Sequence, residues 1–242
     1  MALQWSGARA AAIKPLKGDA STRRFWRVAI ETDDDAPQAP ETAIAIDLGP
    51  DDLPLYARVL KLAPEPLPEP PWINVHRFML SIGAPVPTLY RFDRTARMML
   101  VEDVGETPLF TAASAGKTAD LYRLAADELL RLHLEGTARL DPGCIAARIA
   151  YDERLFRWEL DQFAELGVAQ VAPAASRDAI APELDALASR LGGVSRVLSH
   201  RDYHGNNLFV QHAPDGAPRL RMIDFQDALM APAGQDLAVL LT

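Results

Sequence analysis

Apolar and polar residues alternate in short runs over the first hundred residues of the chain. Alternation with a period of two is typical of β-strands, and four segments between turn-forming residues are predicted as strands on this basis. These segments are Leu16–Ile30, in which a Gly-Asp turn precedes the strand, Thr42–Leu48, Thr88–Phe92 and Arg97–Val101. One further segment, Trp72–Ile82, has helical spacing and ends before a glycine, which predicts a helix.

The second half of the chain has apolar residues at helical spacing. Lys117–Leu134 places leucines and an alanine on one face of an amphipathic helix, and Tyr151–Leu166 and Pro182–Leu191 are predicted as two further helices. Two strand–loop segments follow over Val197–Asp224. Strands with one helix, followed mostly by helices, predict an α+β protein of two lobes with a cleft between them.

Charge and length exclude several classes of function. The 242 residues have a net charge of −8 without any block of Lys and Arg, which argues against nucleic acid or an anionic membrane as the main partner. The single cysteine, Cys144, excludes an internal disulfide and is expected to be a small buried residue. The first residues lack the apolar core of a signal peptide, and no apolar run approaches the ~20 residues of a membrane span. We therefore expect a cytoplasmic protein, and the sequence leaves its oligomeric state open.

Three polar residues near the end of the chain have a spacing that indicates chemistry. Asn207 follows Asp202 by five positions, and Asp224 ends the next apolar run. A carboxylate, an amide and a second carboxylate on adjoining strand–loop segments are what metal-assisted phosphoryl transfer requires. In this interpretation Asp202 orients and deprotonates a hydroxyl group, while Asn207 and Asp224 hold magnesium against the phosphates of a nucleotide.

Longer segments around these residues resemble a known group of enzymes. HRDYHGNNLFV and MIDFQDA resemble the aminoglycoside phosphotransferase/choline kinase branch of the protein-kinase-like fold. GDASTRRFWRV, LVEDVG and YDERLFRWELDQF resemble more narrowly the bacterial anomeric kinases of N-acetylmuramate and N-acetylglucosamine. The resemblance implies ATP and magnesium as cofactors and a small-molecule sugar as substrate.

The same resemblance implies a two-lobed protein-kinase-like fold. Residues 1–104 would form a small N-terminal lobe with an antiparallel sheet that binds the nucleotide. Residues 105–242 would form a mainly helical C-terminal lobe that carries the catalytic loop. The resembled families continue with further helices, so we expect the C-terminal lobe to be incomplete at its C-terminus.

The resemblance also implies roles for individual residues. Asp202 matches the catalytic aspartate, and Asn207 and Asp224 match the magnesium ligands. Three residues match the hinge between the lobes, where backbone groups would bond the adenine edge: Glu102, Asp103 and Val104. Four residues belong to the turn between the first two strands, where phosphate contacts are implied: Ser21, Thr22, Arg23 and Arg24.

One ion pair of protein kinases is missing from the sequence. Protein kinases pair a lysine on the third strand with a glutamate on the following helix. Here Asp47 stands near the expected lysine position, and Trp72–Ile82 contains no acid. Because both partners are absent, we infer a different way of binding phosphate, in which Arg23 or Arg24 replaces the lysine.

Further residues are predicted to bind the sugar or to support the catalytic loop. Glu159 and Asp161 are the candidates for sugar recognition, although neighbours two apart lie on different faces of a helix. Support of the catalytic loop is expected from four others: His200, Arg201, His204 and Asp236. The last of these is also expected to cap the final helix.

The sequence as a whole predicts an ATP-dependent kinase that phosphorylates a sugar hydroxyl. By the resemblance, this is the anomeric hydroxyl of N-acetylmuramate or N-acetylglucosamine, and the reaction belongs to cell-wall sugar recycling. One alternative is a kinase for an aminoglycoside, choline or a homoserine-like compound. Another is a nucleotide-binding regulatory protein without catalytic activity, which the missing ion pair favours and the retained Asp202, Asn207 and Asp224 oppose.

Overall fold

The structure, a computed structural model, describes residues 7–16, 23–32, 39–49, 53, 55–62, 69–114, 118–171 and 174–242. Ser21 and Thr22, two of the residues expected to contact phosphate, lie outside these ranges. None of the helices in this part of the chain has both the length and the apolar character needed to cross a membrane.

The strands confirm the alternating segments of the sequence. The strands of the described residues are β1 (Ala8–Leu16), β2 (Arg24–Thr32), β3 (Thr42–Asp47), β4 (Leu89–Asp93), β5 (Met98–Glu102), β6 (Arg196–Ser199), β7 (Leu208–His212), β8 (Pro218–Met222) and β9 (Leu229–Pro232). The segments predicted from alternation correspond to β2, β3, β4 and β5. The strand β9 was not predicted.

The helices predicted from spacing are present, with one error in their bounds, and three further short helices of the described residues were not predicted. The α-helices in the same residues are α1 (Leu55–Val59), α2 (Pro71–Ser81), α3 (Leu109–Ser114), α4 (Thr118–Arg131), α5 (Glu153–Gln162), α6 (Ala169–Val171), α7 (Ala174–Gly192) and α8 (Gly234–Leu241). The predicted start of α7 at Pro182 was wrong, because this proline lies inside the helix. Proline fits the first turn of a helix without cost and usually breaks a helix interior, so the sequence favoured it as a start.

One compact unit of the protein consists of three separate segments, Met1–Asp52, Pro85–Thr107 and Phe209–Ile223. Its five-stranded sheet has the order β1-β2-β3-β5-β4, and every neighbouring pair is antiparallel, which confirms the predicted antiparallel sheet. Side chains two residues apart lie on the same face of a strand, and such residues from three strands form a buried apolar cluster: Val28, Ile30, Ala43, Ala45 and Leu100. A second sheet of this unit pairs β7 with β8.

The other compact unit consists of Leu53–Ala84, Pro108–Leu208 and Asp224–Thr242, and it contains the α-helices. On α4 the buried residues follow a spacing of four, so one face of the helix is covered. This helix continues into a π-helical turn over Leu132–Gly136. The single cysteine, Cys144, is buried here, as expected.

Two local features of this unit position the residues of interest. The strand β6 pairs antiparallel with β9, with Ser199 opposite Leu229, and it leads directly into the predicted catalytic loop. The helix α2 packs against the 3₁₀ turn Phe225–Asp227 that follows Asp224.

Neither compact unit is continuous in the sequence. The segment Leu53–Ala84 groups with the later helices, and the hairpin Phe209–Ile223 groups with the five-stranded sheet. A single division after Val104 therefore does not coincide with the compact units. The functional lobes expected on either side of Val104 stay a prediction.

Candidate active site

The predicted catalytic loop is fixed by its own backbone. The carbonyl oxygen of Asp202 accepts a hydrogen bond from the His204 N–H at 2.9 Å, and the carbonyl oxygen of His204 accepts one from the Asn207 N–H at 2.9 Å. The side-chain Nδ2 of Asn207 also donates to the Asp202 carbonyl, at 3.0 Å. These bonds use the carbonyl group of Asp202 and hold the residue in place without its carboxylate.

Asp236 is the buried anchor of this loop. Its Oδ1 accepts hydrogen bonds from the Ser199 hydroxyl and the Arg201 N–H, each at 2.9 Å. Its Oδ2 accepts from the His200 N–H at 3.0 Å and lies 3.0 Å from His133 Nε2. A carboxylate offers about four lone-pair positions, so this fully buried side chain is saturated, with His133 donating from Nε2.

The expected cap of the last helix by Asp236 was wrong. The helix α8 begins at Gly234, its N-cap residue is Ala233, and no side chain caps it. Asp236 lies in the first turn instead, and its carboxylate points to the catalytic loop. The structure therefore supports the loop contact and not the capping contact.

The two histidines of the loop have different surroundings. His200 is buried and meets the ring of Tyr203 edge-on, with 5.5 Å between the ring centroids. His204 accepts a hydrogen bond from the Asn206 N–H at Nδ1, at 3.3 Å, and its Nε2 lies 3.3 Å from Asn207 Nδ2. His204 therefore touches a predicted metal ligand, and His200 packs beneath the loop.

Arg201 places its guanidinium group between two carboxylates. One nitrogen lies 3.8 Å from Asp202 Oδ2, and another lies 3.4 Å from Glu159 Oε1. Its backbone has φ 77°, a left-handed conformation that few residues other than glycine adopt. The side chain of Asp202 remains 39% exposed, so a ligand can approach it.

The two acids proposed for sugar recognition are separated by the structure. Glu159 faces Arg201 and the catalytic loop. Asp161 instead accepts from Arg157 Nε at 3.0 Å, and Arg157 also pairs with Asp185 on α7. The structure thus brings only Glu159 to the loop.

The predicted metal ligands lie at one end of a hairpin. A connection of five residues between β7 and β8 requires antiparallel strands. Asn207 precedes the first strand and Asp224 follows the second, so both stand at the open end of the hairpin. The Nδ2 group of Asn207 is used within the loop, which directs its Oδ1 elsewhere. An amide oxygen and a carboxylate are the hard ligands that magnesium prefers, so the donor set fits this ion.

The remaining magnesium ligands are expected to be water and phosphate oxygens. In the described ranges, no group of three His, Cys, Asp or Glu side chains could hold a metal ion. Magnesium usually keeps several waters and binds through one or two carboxylates together with substrate phosphates. Asn207 and Asp224 as the side-chain ligands are consistent with this coordination.

A short turn after β8 orients Asp224. Its backbone is left-handed, with φ 63° and ψ 30°. The next residue, Phe225, is fully buried against Trp72 and His76 of α2, at ring-centroid distances of 5.2 Å and 5.9 Å. The Nε2 group of Gln226 then donates to Asp224 Oδ1 at 2.9 Å.

The predicted hinge residues are held by a charged network in the sheet unit. The Glu102 carboxylate accepts from Arg221 at 2.8 Å and 2.9 Å and from the N–H and hydroxyl of Thr88 at 3.0 Å and 3.1 Å. Asp103 pairs with Arg27 at 2.6 Å, and the Val104 carbonyl oxygen accepts from a glutamine at 3.4 Å. The side chains of Glu102 and Asp103 are therefore engaged in bracing, which leaves ligand contacts there to the backbone.

The two arginines proposed to replace the lysine have aromatic neighbours. Arg24 pairs with Asp47 at 2.5 Å and lies 5.6 Å from the ring centroid of Trp26, while Arg23 lies 6.0 Å from that of Phe25. A hydrogen bond from the Gly49 N–H, together with the Arg24 guanidinium, holds the pKa of Asp47 below its usual value. The acid at the expected lysine position is thus neutralised by one of the arginines proposed to replace that lysine.

Several contributing residues were missed by the sequence analysis. Tyr203 is buried and donates to the Ala125 carbonyl at 2.9 Å, and burial raises the pKa of its hydroxyl well above the usual value. His133, Gln226 and Arg221 were missed as well. The one available signal was His133 in the apolar run that follows α4, since a polar group on a buried face requires a partner.

The chain is similar in sequence to known phosphotransferases. A model of the phosphotransferase enzyme family matches residues 12–242. The chain is 30% identical over 179 residues to the N-acetylmuramate/N-acetylglucosamine kinase of Caulobacter vibrioides, an overlap that covers 70% of this chain and 47% of that protein. The chain therefore spans about half the length of the curated relative it matches.

Solved structures share the fold at low sequence identity. The choline kinase LicA from Streptococcus pneumoniae has a TM-score of 0.57 at 16% identity, covering 96% of this chain and 69% of that one. The GDP and kanamycin complex of APH(2")-IIia has a TM-score of 0.62 at 13% identity, covering 96% and 73%. These similarities confirm the predicted protein-kinase-like fold.

Proposed function

Since the chain belongs to the phosphotransferase enzyme family, we propose that it is an ATP-dependent kinase that transfers the γ-phosphate to a hydroxyl group of a small molecule. The observation that carries the proposal is the fixed loop from Asp202 to Asn207, anchored by the saturated carboxylate of Asp236. Phosphoryl transfer depends mostly on positioning and on charge stabilisation. A loop held by its own backbone and by a buried anchor meets the first requirement.

Asp202 would act on the acceptor hydroxyl. Its carboxylate is partly exposed, and its carbonyl, not its carboxylate, holds the loop. The carboxylate would accept a hydrogen bond from the hydroxyl, orient its oxygen toward the phosphorus and take the proton as the new O–P bond forms. The bond between the γ-phosphorus and its bridging oxygen would break, and ADP would leave. The Arg201 guanidinium lies 3.8 Å from the Asp202 carboxylate, beside the place where the hydroxyl would approach.

Asn207 and Asp224 would hold magnesium. The ion, when bound, neutralises charge on the transferred phosphate. The Asn207 side chain would present its amide oxygen, because its nitrogen is bound to the Asp202 carbonyl. Asp224 would present its carboxylate in the orientation set by the turn and by Gln226.

The nucleotide would be bound by residues of the sheet unit. The backbone of Glu102, Asp103 and Val104 would meet the adenine edge, since the two acidic side chains are engaged in bracing. Phosphate contacts are proposed for the turn between β1 and β2: Ser21, Thr22, Arg23 and Arg24. Arg24 would have to exchange Asp47 for a phosphate oxygen to take part.

For the acceptor we propose the anomeric hydroxyl of N-acetylmuramate or N-acetylglucosamine. The support is the 30% identity to a kinase of that name, together with the position of Glu159 beside the catalytic loop. Asp161 is a weaker candidate because Arg157 engages it on the helix surface. The reaction would then serve cell-wall sugar recycling in the cytoplasm.

The alternative functions are supported by fewer observations than the sugar kinase. For a choline or aminoglycoside kinase there is only the shared fold, at identities of 13% to 16%. A catalytically inactive nucleotide-binding protein is opposed by the retained Asp202 and Asn207 in the catalytic loop and by the retained Asp224 after β8.

A panel assay tests the proposal. ADP release would be measured with N-acetylmuramate, N-acetylglucosamine, choline, kanamycin and homoserine, and phosphorus NMR would show whether phosphate is attached to the anomeric carbon. We expect turnover with an N-acetyl sugar and loss of roughly 100-fold or more of kcat in Asp202→Asn. Tight nucleotide binding without turnover of any acceptor would contradict the enzyme proposal.

A further inference from the structure

The carboxamide of Gln226 is oriented by two acidic neighbours. Its Nε2 donates to Asp224 Oδ1 at 2.9 Å and approaches Asp227 Oδ2 at 3.4 Å. A flipped amide would direct its oxygen at both carboxylates, so the contacts settle which end is nitrogen. The oxygen Oε1 must therefore point away from both acids.

That oxygen is buried and unpaired. Gln226 is 9% exposed, and its Oε1 has no hydrogen-bond partner among the described residues. Most buried polar side-chain atoms in proteins have a partner, and an exception requires an explanation. The neighbouring Phe225 is packed against the rings of Trp72 and His76 on α2, which fixes the turn that carries Gln226. A donor that arrives with a ligand is the simplest explanation.

We propose that Gln226 is a positioning residue for the metal: its N–H holds the Asp224 carboxylate, and its Oε1 accepts a hydrogen bond from a water carried by the bound divalent ion. Magnesium sheds its hydration water reluctantly, and metal-bound water is a strong hydrogen-bond donor. Residues that orient a ligand and its waters without touching the ion contribute substantially to metal affinity. This role rests on the proposed function, because it requires Asp224 to be a metal ligand.

The test separates metal binding from nucleotide binding. Binding of Mn²⁺ in the presence of a non-hydrolysable ATP analogue would be followed by electron paramagnetic resonance. Affinity for a fluorescent form of the same analogue would be measured in EDTA. Gln226→Met should weaken Mn²⁺ binding roughly 10- to 100-fold and leave the affinity in EDTA unchanged. The matched control is Gln170→Met at an exposed position of α6, where neither value should change.

The outcomes distinguish this role from the function on which it rests. Wild-type protein that binds neither Mn²⁺ nor the nucleotide would refute the kinase proposal and this role with it. Equal Mn²⁺ affinity of wild type and Gln226→Met would overturn the role of Gln226 alone. A lower unfolding temperature of Gln226→Met with unchanged Mn²⁺ affinity would also overturn the role of Gln226. That result is expected if Oε1 binds a structural water that is not bound to the metal.

A measurement on the wild-type protein covers the case in which the variant does not fold. The side-chain amide signal of Gln226, assigned by through-bond NMR, should shift when magnesium is added to the nucleotide complex. It should stay in place when nucleotide is added in EDTA. A Gln226 side-chain amide signal whose chemical shift does not change on addition of magnesium would overturn the proposal.

Discussion

His133 Nε2 lies 3.0 Å from Asp236 Oδ2, and both side chains are buried. The contact joins the π-helical turn after α4 to the residue that holds the catalytic loop. Local π-helical turns are frequent at functional sites. The pair therefore makes the position of the loop depend on a helix that is distant from it in sequence.

Removing the histidine donor should slow the reaction more than it weakens binding. His133→Leu leaves Asp236 with one acceptor position empty, which we expect to cost about 1.5–3 kcal/mol of unfolding free energy and up to about 100-fold in kcat. His133→Gln, which can still donate, should recover part of kcat. Steady-state kinetics with urea unfolding would show this, and an unchanged kcat in His133→Leu would contradict the positioning role.

Changing the acceptor in this pair should be more severe. Asp236→Asn keeps one acceptor oxygen and directs an N–H group at donors, so about 3 kcal/mol or more of unfolding free energy should be lost. The matched control is Asp120→Asn, an exposed acid at the start of α4, where the change should stay within about 0.5 kcal/mol. Equal losses in the two variants would show that the hydrogen bonds of Asp236 do not stabilise the fold.

Arg24 provides a test of how phosphate is bound without the kinase lysine. Arg24→Met should raise the KM for ATP roughly tenfold if its charge reaches a phosphate. Arg9→Met is the control, because Arg9 forms a similar exposed ion pair with Glu31 in the same sheet. The hypothesis fails if Arg24→Met and Arg23→Met both keep the wild-type KM for ATP.

The ion pair of Arg24 with Asp47 predicts a pH dependence of stability. Because the pKa of Asp47 is lower in the folded protein, its contribution is present above the unfolded pKa and is lost as the pH falls through the folded pKa. The advantage of wild type over Asp47→Asn should therefore be constant near neutral pH and shrink below about pH 4. Its size should be about 0–1 kcal/mol, since the arginine is exposed. Urea unfolding curves at several pH values would measure it, and parallel curves for the two proteins would contradict it.

Glu159 and Asp161 form a matched pair for the acceptor site. Glu159→Gln should raise the KM for the sugar roughly tenfold without changing that for ATP, because Glu159 lies beside Arg201. Asp161→Asn should change neither constant, because Arg157 engages this acid on the helix surface. Steady-state kinetics with both substrates varied would measure these constants. A larger rise of the sugar KM in Asp161→Asn than in Glu159→Gln would show that Glu159 does not bind the sugar.

Local sequence patterns predicted much of the fold. The strands β2 to β5 and the helices α2, α4 and α5 follow from periods that each segment carries in its own sequence. Asp202, Asn207 and Asp224 could be found together because they stand in two adjoining segments with a characteristic spacing. Where a residue broke the local rule, as Pro182 does inside α7, the prediction failed.

Contacts between distant segments could not be predicted. Asp236 and His133 are 103 residues apart, and Arg221 and Glu102 are 119 apart. No period or spacing links such partners, because their meeting depends on the packing of the whole unit. Gln226 is a different case. Its partners Asp224 and Asp227 are close in sequence, but the burial of its Oε1 depends on tertiary packing, which the sequence does not indicate.

The discontinuous sheet unit has a consequence for synthesis of the protein. Glu102 is translated early, yet its partner Arg221 belongs to the hairpin Phe209–Ile223 of the same unit. On the ribosome, domains generally fold as units once their residues are available. The sheet unit cannot reach its final form until residue 223 has emerged, by which time most of the helical unit has already been made. We therefore expect Glu102 to lack its arginine partner through most of translation. A nascent chain that stops before the hairpin should be a preferred substrate for chaperones.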